Sequence, residues 1–414
     1  MAFRTQPIHH VLVVLVWRFA MSISRTIAAQ MQNASWIRRM FEIGIQLRRE
    51  RGSGRVFDFS LGNPDVEPPA AVLDALRRIA SESRPHSHGY MPNAGFPEVR
   101  ATIARHLAAR SGVPFAAAHI IMANGAAGAL NTVLKSILDP GDEVIVLNPY
   151  FPEYRFYIEN HGGKVVAVET GADFQPRPDA IARALTPRTR ALLLNSPNNP
   201  TGALYSAATL QALDALIREP VLVLSDEPYR PIVFDGAVVP ETSRLIRRCV
   251  TAWSWSKAMA IAGERIGYLA ISPHLAEAEA LANACTFSTR ILGFINAPAL
   301  WQWVVAEVPE ATVSVAEYQA KRDLLCRALA GMGYRLTPPQ GSYYVFPETP
   351  VPDDVAFIGI LQEEGILAVP GTGFGRSGYM RLSLTIPREQ LERSLPGFER
   401  ARQKALAQAE VVRG

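Results

Sequence analysis

The amino-acid sequence predicts an α/β protein with two units: a large one built on a mainly parallel sheet flanked by helices, and a smaller α+β one. Three observations predict it. From Val56 onward, short β-branched runs alternate with stretches of helical period, the pattern of strand–helix–strand units. The runs are apolar throughout instead of alternating, as expected where both faces of a sheet are covered. After about residue 295 the rhythm changes to longer helical stretches with short strands between them.

The strands are expected at 56–62 (VFDFSLG), 143–149 (EVIVLNP), 164–170 (KVVAVET), 190–197 (RALLLNSP), 221–227 (VLVLSDE), 250–256 (VTAWSWS) and 265–272 (RIGYLAIS). Between them, 125–139, 177–186 and 206–219 repeat apolar residues at helical spacing. Residues 297–333 read as one long helical stretch, interrupted at most at Pro309, that joins the two units. GSYYVFPE, ILAVPG and YMRLSLTI follow as strands, and the segment from Pro387 to Glu410 as a helix. The expected division is a large unit at 73–305 and a small one combining 21–72 with 306–414.

Composition excludes several function classes. Of the 414 residues, 48% are hydrophobic and 19% charged, too apolar for a disordered chain. The net charge is +4 with no run of five like charges, which gives nucleic-acid binding no electrostatic support. Cys249, Cys285 and Cys326 are scattered and form no CxxC pair, so a reducing cytoplasm is the expected compartment. No HExxH or other metal-ligand spacing occurs, and His86 and His88 fall in a Ser/Pro-rich loop, so no metal is expected. Residues 1–20 read as an N-terminal tail ahead of a second possible start at Met21. Their apolar run, Val11 to Trp17, is too short to span a membrane.

Five of the 42 basic side chains are lysines, so each can be interrogated. Lys135, Lys164, Lys321 and Lys404 fall on amphipathic helices or a turn and are expected to be solvated. Lys257 ends the apolar strand VTAWSWSK, which places an amine at the carboxyl edge of a sheet, where open α/β sheets bind ligands. A desolvated amine is a Schiff-base nucleophile. Other strand ends converge on the same edge. Asn198 to Gly202 form a turn whose amides can address a polar ring substituent. Asp226, with Tyr229 three residues later, would be costly in an apolar strand unless it met a cation such as a pyridinium nitrogen, although a structural capping role also suits it. The small residues Gly125, Ala126 and Ala127 open a helix whose bare N–H groups suit a phosphate, and Phe151 offers a face for a planar ring. Together they describe a pyridoxal 5′-phosphate pocket.

NSPNNPTG (195–202), SDEPY (225–229) and SWSKAMAIAGERIGY (254–268), in that order and spacing, resemble a class I/II aminotransferase, of the fold type I pyridoxal-phosphate enzymes. The resemblance runs from about Trp36 to about Gln390. It implies that Lys257 holds the cofactor as a Schiff base, that Asp226 pairs with the pyridine nitrogen, and that Tyr229 and Asn199 bond the ring oxygen. It implies further that Phe151 stacks on the ring, and that Gly125, Ala126, Ala127, Ser254 and Arg265 hold the phosphate. Tyr90 would reach the cofactor phosphate of a neighbouring subunit, which implies a homodimer. Arg381 matches the arginine that clamps the substrate carboxylate, beside Gly62.

The implied reaction moves an amino group from an L-amino acid to a 2-oxo acid, such as 2-oxoglutarate, by a ping-pong mechanism; a lyase or synthase on the same scaffold is the alternative. The donor stays open. Arg290 reads as a surface or interface residue instead of a second carboxylate reader. Gly371 to Gly375 imitate a nucleotide-binding loop, yet they precede a strand and open no helix, and so read as a turn.

Overall fold

A computed structural model describes residues 23–32, 36–82 and 87–413; the expected tail at 1–20 and His86 lie outside them. Residues 25–32 form a short helix that belongs to a separate compact unit, and residues 36–414 make up the other. Within the latter the strands are β1 (Phe57–Asp58), β2 (Ile120–Ala123), β3 (Glu143–Asn148), β4 (Lys164–Glu169), β5 (Thr189–Asn195), β6 (Leu222–Asp226), β7 (Cys249–Ser254) and β8 (Gly267–Ile271). Four short strands follow: β9 (Tyr344–Val345), β10 (Ile366–Leu367), β11 (Val369–Pro370) and β12 (Met380–Ser383).

Seven strands form the central sheet in the order β2-β8-β7-β6-β5-β3-β4. Only β8 runs against its neighbours β2 and β7, so the other six point the same way. Successive residues of a strand enter opposite cores. Val144, Val146, Leu193 and Leu224 pack on one face, and Ile145, Leu147, Leu192 and Val223 on the other. Burial on both faces is why these strands carry no polar alternation. Helices cover them, including Gly125–Ile137, Ala207–Leu216 and Ala278–Ile291. Ser206 caps the second of these by accepting from the Thr209 amide at 3.0 Å.

A smaller antiparallel sheet, β11-β12-β9, and the parallel pair β1-β10 pack with the helices Ala316–Gly331, Asp354–Glu363 and Arg388–Arg413 around a separate core containing Phe59, Tyr318, Phe357 and Phe398. The α/β architecture with a mainly parallel sheet is therefore as the sequence predicts.

Four expectations need correction. The helix expected over 297–333 is two, Ala299–Glu307 and Ala316–Gly331. Pro309 disfavours helical backbone at Val308, which adopts φ −127° and ψ 52°, and the Val313 amide donates to the Ala258 carbonyl at 2.7 Å, holding the linking segment in the core. Lys257 does not end a strand: β7 stops at Ser254, whose hydroxyl accepts from the Ser256 amide at 3.1 Å and starts one helical turn, Trp255–Ala258. The run at 56–62 shrinks to the two residues of β1 and lies outside the central sheet, where β2 takes a place the sequence pattern did not mark. Lys321, expected in solvent, has a side chain with 0% exposure, because the face of its helix that packs inward meets Asp65.

Candidate active site

The carboxyl edge of the parallel strands gathers the site. Register pairs Asn195 at the end of β5 with Asp226 at the end of β6, and Asp226 with Ala252 of β7. The turn bearing Lys257 follows β7, Tyr150 and Phe151 follow β3, and the helix Gly125–Ile137 opens just past β2. From the smaller sheet, β12 brings Arg381 and β9 brings Tyr344, two strands held in register by Ser383 opposite Tyr344. These elements enclose a cavity of about 320 Å³ lined by Lys257, Asp226, Tyr229, Asn199, Arg381 and Phe151, among others. Its size suits a small polar ligand with an aromatic ring.

Lys257 Nζ donates to the Gly62 carbonyl at 2.6 Å. Burial, followed by the charges of Arg265 and Arg381, lowers its pKa to about 8, so the neutral amine is far better populated near neutral pH than for an ordinary lysine. Gly62 is required by crowding: a Cβ there would meet the Tyr344 hydroxyl oxygen at 1.8 Å.

Asp226 is 6% exposed. Its Oδ2 accepts from Tyr154 Oη at 2.5 Å, and its main-chain oxygen accepts from Asn195 Nδ2 at 2.9 Å. Burial pushes the carboxyl up to about 7 against the opposing Tyr154 hydrogen bond, and the neighbouring Glu227 adds to the rise. Asp226 Oδ1 is buried with no hydrogen-bond partner.

Arg381 is 1% exposed and lies between aromatic faces, its guanidinium carbon 4.2 Å from the Tyr344 ring centroid and 4.9 Å from that of Phe374. Its Nη2 donates to the Ser60 carbonyl at 2.6 Å and its Nη1 to Asn199 Oδ1 at 3.1 Å. Asn199 is fixed in turn by its amide, which donates to Asn195 Oδ1 at 2.7 Å. Phe374 belongs to the 3₁₀ turn Gly371–Phe374, so the glycine-rich segment is the expected turn, and it packs beneath the guanidinium. Tyr229 and Tyr344 hydroxyls lie 3.1 Å apart, and burial holds Tyr229 well above the ordinary phenol range.

A third group lies around the helix start. Gly125 has φ +70°, and a Cβ on it would come within 2.7 Å of Arg265 Nη2, so a larger residue would strain the backbone and displace the guanidinium from this helix terminus. Arg265 Nη2 donates to the Asn124 carbonyl at 3.3 Å, and Ser254 Oγ is 2.6 Å from Ser256 Oγ. Ala126, Ala127, Ser254 and Arg265 line the cavity; Gly125 stands just behind its wall.

The residues present fit pyridoxal phosphate. The buried, unpartnered Asp226 Oδ1 is an acceptor that a protonated ring nitrogen would satisfy, and the glycine-permitted approach of Arg265 to a helix N-terminus forms an anion cradle.

Of the residues singled out from sequence, Tyr90 and Arg290 stand apart from this group. Tyr90 is 93% exposed and lies in a separate depression with His88, Phe294 and Asn296. Arg290 is exposed, 5.7 Å from the Phe287 ring, and does not line the cavity. Sequence reasoning missed Tyr154, Asn195 and Tyr344. Tyr154 carried a usable signal, since it falls one helical turn beyond Phe151 and the two rings meet edge to face at 5.5 Å. Asn195, a polar end to an apolar strand, carried another. Among the described residues no group of histidine, cysteine or acidic side chains could hold a metal, and no helix is long and apolar enough to cross a membrane.

Residues 55–396 match the model of the family "Aminotransferase class I and II". The aspartate/prephenate aminotransferase of Thermus thermophilus is 36% identical over 350 residues, covering 82% of this chain and 89% of that protein. The aspartate aminotransferase of Geobacillus stearothermophilus is 31% identical over 362 residues, 83% of this chain and 91% of that one. Among solved structures, an aminotransferase from Eubacterium rectale superposes with a TM-score of 0.89 at 33% identity, covering 93% of this chain and 99% of that one. The Thermus thermophilus aspartate aminotransferase with maleate gives 0.83 at 32% identity, covering 92% and 99%. With family, fold and pocket in agreement, the chain belongs to the class I and II aminotransferases, enzymes that use pyridoxal phosphate to transfer amino groups.

Proposed function

We propose that the enzyme takes the amino group of an L-amino acid and passes it to 2-oxoglutarate or a similar 2-oxo acid in two ping-pong half-reactions, with Lys257, Asp226 and Arg381 as the principal side chains. The observation that supports this most is that an amine with a lowered pKa, a half-satisfied carboxylate and a clamped guanidinium line one cavity.

When bound, pyridoxal phosphate supplies an aldehyde that condenses with amines and a ring that takes up the electron pair left as the substrate Cα–H bond breaks. The chain's own groups divide the remaining work. Lys257 would hold the cofactor and, as a free amine, would move the proton from Cα. Asp226, through Oδ1, would keep the ring nitrogen protonated. Asn199 and Tyr229 would address the ring oxygen, and Phe151 would cover one face. Gly125, Ala126 and Ala127 amides, with Ser254 and Arg265, hold the phosphate. Arg381 fixes the substrate α-carboxylate by its planar fork, near Gly62, and so sets the angle of the Cα–H bond.

The exposure of Tyr90 supports a homodimer in which this hydroxyl completes the neighbouring site. Three unpaired, buried cysteines support a cytoplasmic setting. The core that Met40 and Phe59 share with Tyr318, Phe357 and Phe398 supports grouping 36–72 with 306–414, with Phe174, Tyr229 and Phe234 of the 73–305 segment packed into the same core.

A half-reaction screen tests the proposal. Single amino acids are added to the cofactor-loaded enzyme and the cofactor absorbance is followed. The expected result is bleaching of the carbonyl form by at least one amino acid and its restoration by 2-oxoglutarate. Bleaching by none, or a product that forms equally without any 2-oxo acid, overturns it.

A further inference from the structure

Lys321 is the one lysine whose side chain is fully enclosed, and a buried ammonium persists only where it is well paired. Its Nζ donates to Asp65 Oδ2 at 2.5 Å and to the Leu384 carbonyl at 3.3 Å, and lies 5.1 Å from the Tyr318 ring centroid. Glu317, one turn earlier on the same helix, stands farther off at 3.7 Å.

Each near neighbour leads into the active site by a short route. Asp65 closes the segment 60–65, whose Gly62 carbonyl accepts from Lys257 Nζ and whose Ser60 carbonyl accepts from Arg381 Nη2, both at 2.6 Å. Leu384 directly follows β12, the strand that carries Arg381, and its amide donates to the Tyr343 carbonyl at 2.7 Å. Tyr318 packs on Tyr343 with ring centroids 4.5 Å apart, and Tyr343 Oη donates to the Lys257 carbonyl at 3.1 Å. One buried cation thus touches the loop that receives the Lys257 amine, the strand that holds the carboxylate clamp, and the aromatic pair that fixes the Lys257 backbone.

We propose that Lys321 is a positioning residue for amino-group transfer: through Asp65, Leu384 and the Tyr318–Tyr343 pair it sets the separation of the Lys257 amine from the Arg381 guanidinium. The proposal rests on the roles given above to Lys257 and Arg381. Its physical basis is that proton transfer from a clamped substrate tolerates little displacement of either end, so loosening the shared anchor costs rate even where the pocket survives. Lys321 does not line the cavity, and none of its partners belongs to the group around Gly125 and Arg265.

The test compares Lys321→Met, Asp65→Asn and the double variant as cofactor-loaded enzymes, measuring kcat and KM for the amino donor, the cofactor dissociation constant and the melting temperature. Each single variant is expected to lower kcat/KM by about tenfold or more, with KM raised, while cofactor affinity stays within about twofold. The double variant is expected to be no worse than the worse single one, because both remove the same anchor. Asp65→Asn keeps the test alive should Lys321→Met fold poorly. A lowered melting temperature with kcat and KM within twofold of the parent means a purely structural charge pair and overturns the proposal, as do losses that add in the double variant. Lys257→Ala is measured alongside. Lys321 variants at parental rates beside an inactive Lys257→Ala reject this proposal alone, whereas an active Lys257→Ala rejects the site assignment and this proposal with it.

Discussion

The Tyr154 hydroxyl holds one oxygen of Asp226 at 2.5 Å and leaves the other, Oδ1, buried and unmatched. The carboxylate is therefore supported from behind and unsatisfied in front, an arrangement that costs stability until a cation meets it.

Replacing Asp226 by Asn should stabilise the apoenzyme at pH 8 while abolishing amino-group transfer. Burial raises the folded-state value from 3.8 to about 7, so between those two pH values the folded apoenzyme binds more protons than the unfolded chain. Its stability then falls as pH rises through that window, and the full penalty stands above it. Asn carries no charge to bury, and the expected gain at pH 8 is on the order of 4 kcal/mol, vanishing near pH 4. Denaturant unfolding of both apo forms at the two pH values checks it; equal stabilities at pH 8 would show that the charge is not the burden.

Tyr154→Phe removes the rear support, leaving both Asp226 oxygens without a protein donor. Cofactor affinity and kcat should each fall by roughly tenfold, in keeping with the loss of one charge-assisted hydrogen bond. Spectroscopic titration with the cofactor reads the first, and unchanged affinity would mean that Tyr154 is mere packing.

Lys257 should capture the cofactor in a pH-dependent way. Since burial and two guanidinium groups lower its pKa to about 8, the rate at which apoenzyme forms a borohydride-reducible bond should rise with pH around that midpoint, well below the ordinary lysine value of 10.5. Lys257→Ala should form none. A reducible adduct on any other lysine contradicts the assignment.

Arg381→Lys keeps the charge but loses the fork that Ser60 and Asn199 hold. Because a point charge cannot bind a carboxylate in two parallel bonds, kcat/KM for the amino donor should drop by about 100-fold, mostly through KM. Cofactor affinity should change by less than about threefold. Equal losses in both would remove the clamp role.

Gly125→Ala should do the reverse. A methyl group there meets Arg265 at 2.7 Å on a backbone with positive φ, so the phosphate end is disturbed and the carboxylate end is not. Cofactor dissociation should rise by about tenfold or more with KM for the amino donor nearly constant once the enzyme is loaded. Isothermal titration of the apo variant decides it.

The parts of this molecule that could be read from sequence are those encoded by neighbours in the chain. The apolar strands and the motifs at their ends were legible because each strand and the turn after it lie within about ten residues, and the parallel sheet then brings the turns together. Contacts set by distant segments were not. Tyr154 reaches Asp226 across 72 positions, and Lys321 reaches Asp65 across 256; nothing in the local pattern of the helix Ala316–Gly331 marks one lysine as enclosed. The break at Pro309 was visible as a residue, but its consequence was not, because the bond from Val313 to Ala258 is tertiary.

That break also constrains any attempt to harden the enzyme against heat. Exchanging Pro309 for a good helix former looks like an ordinary stabilising change, since it would let the Ala299–Glu307 helix grow. The longer rod would compete with the tether between Val313 and Ala258, the residue next to Lys257. A stiffer linker there would be expected to lose turnover as it gains heat resistance, which makes the proline a poor target for hardening.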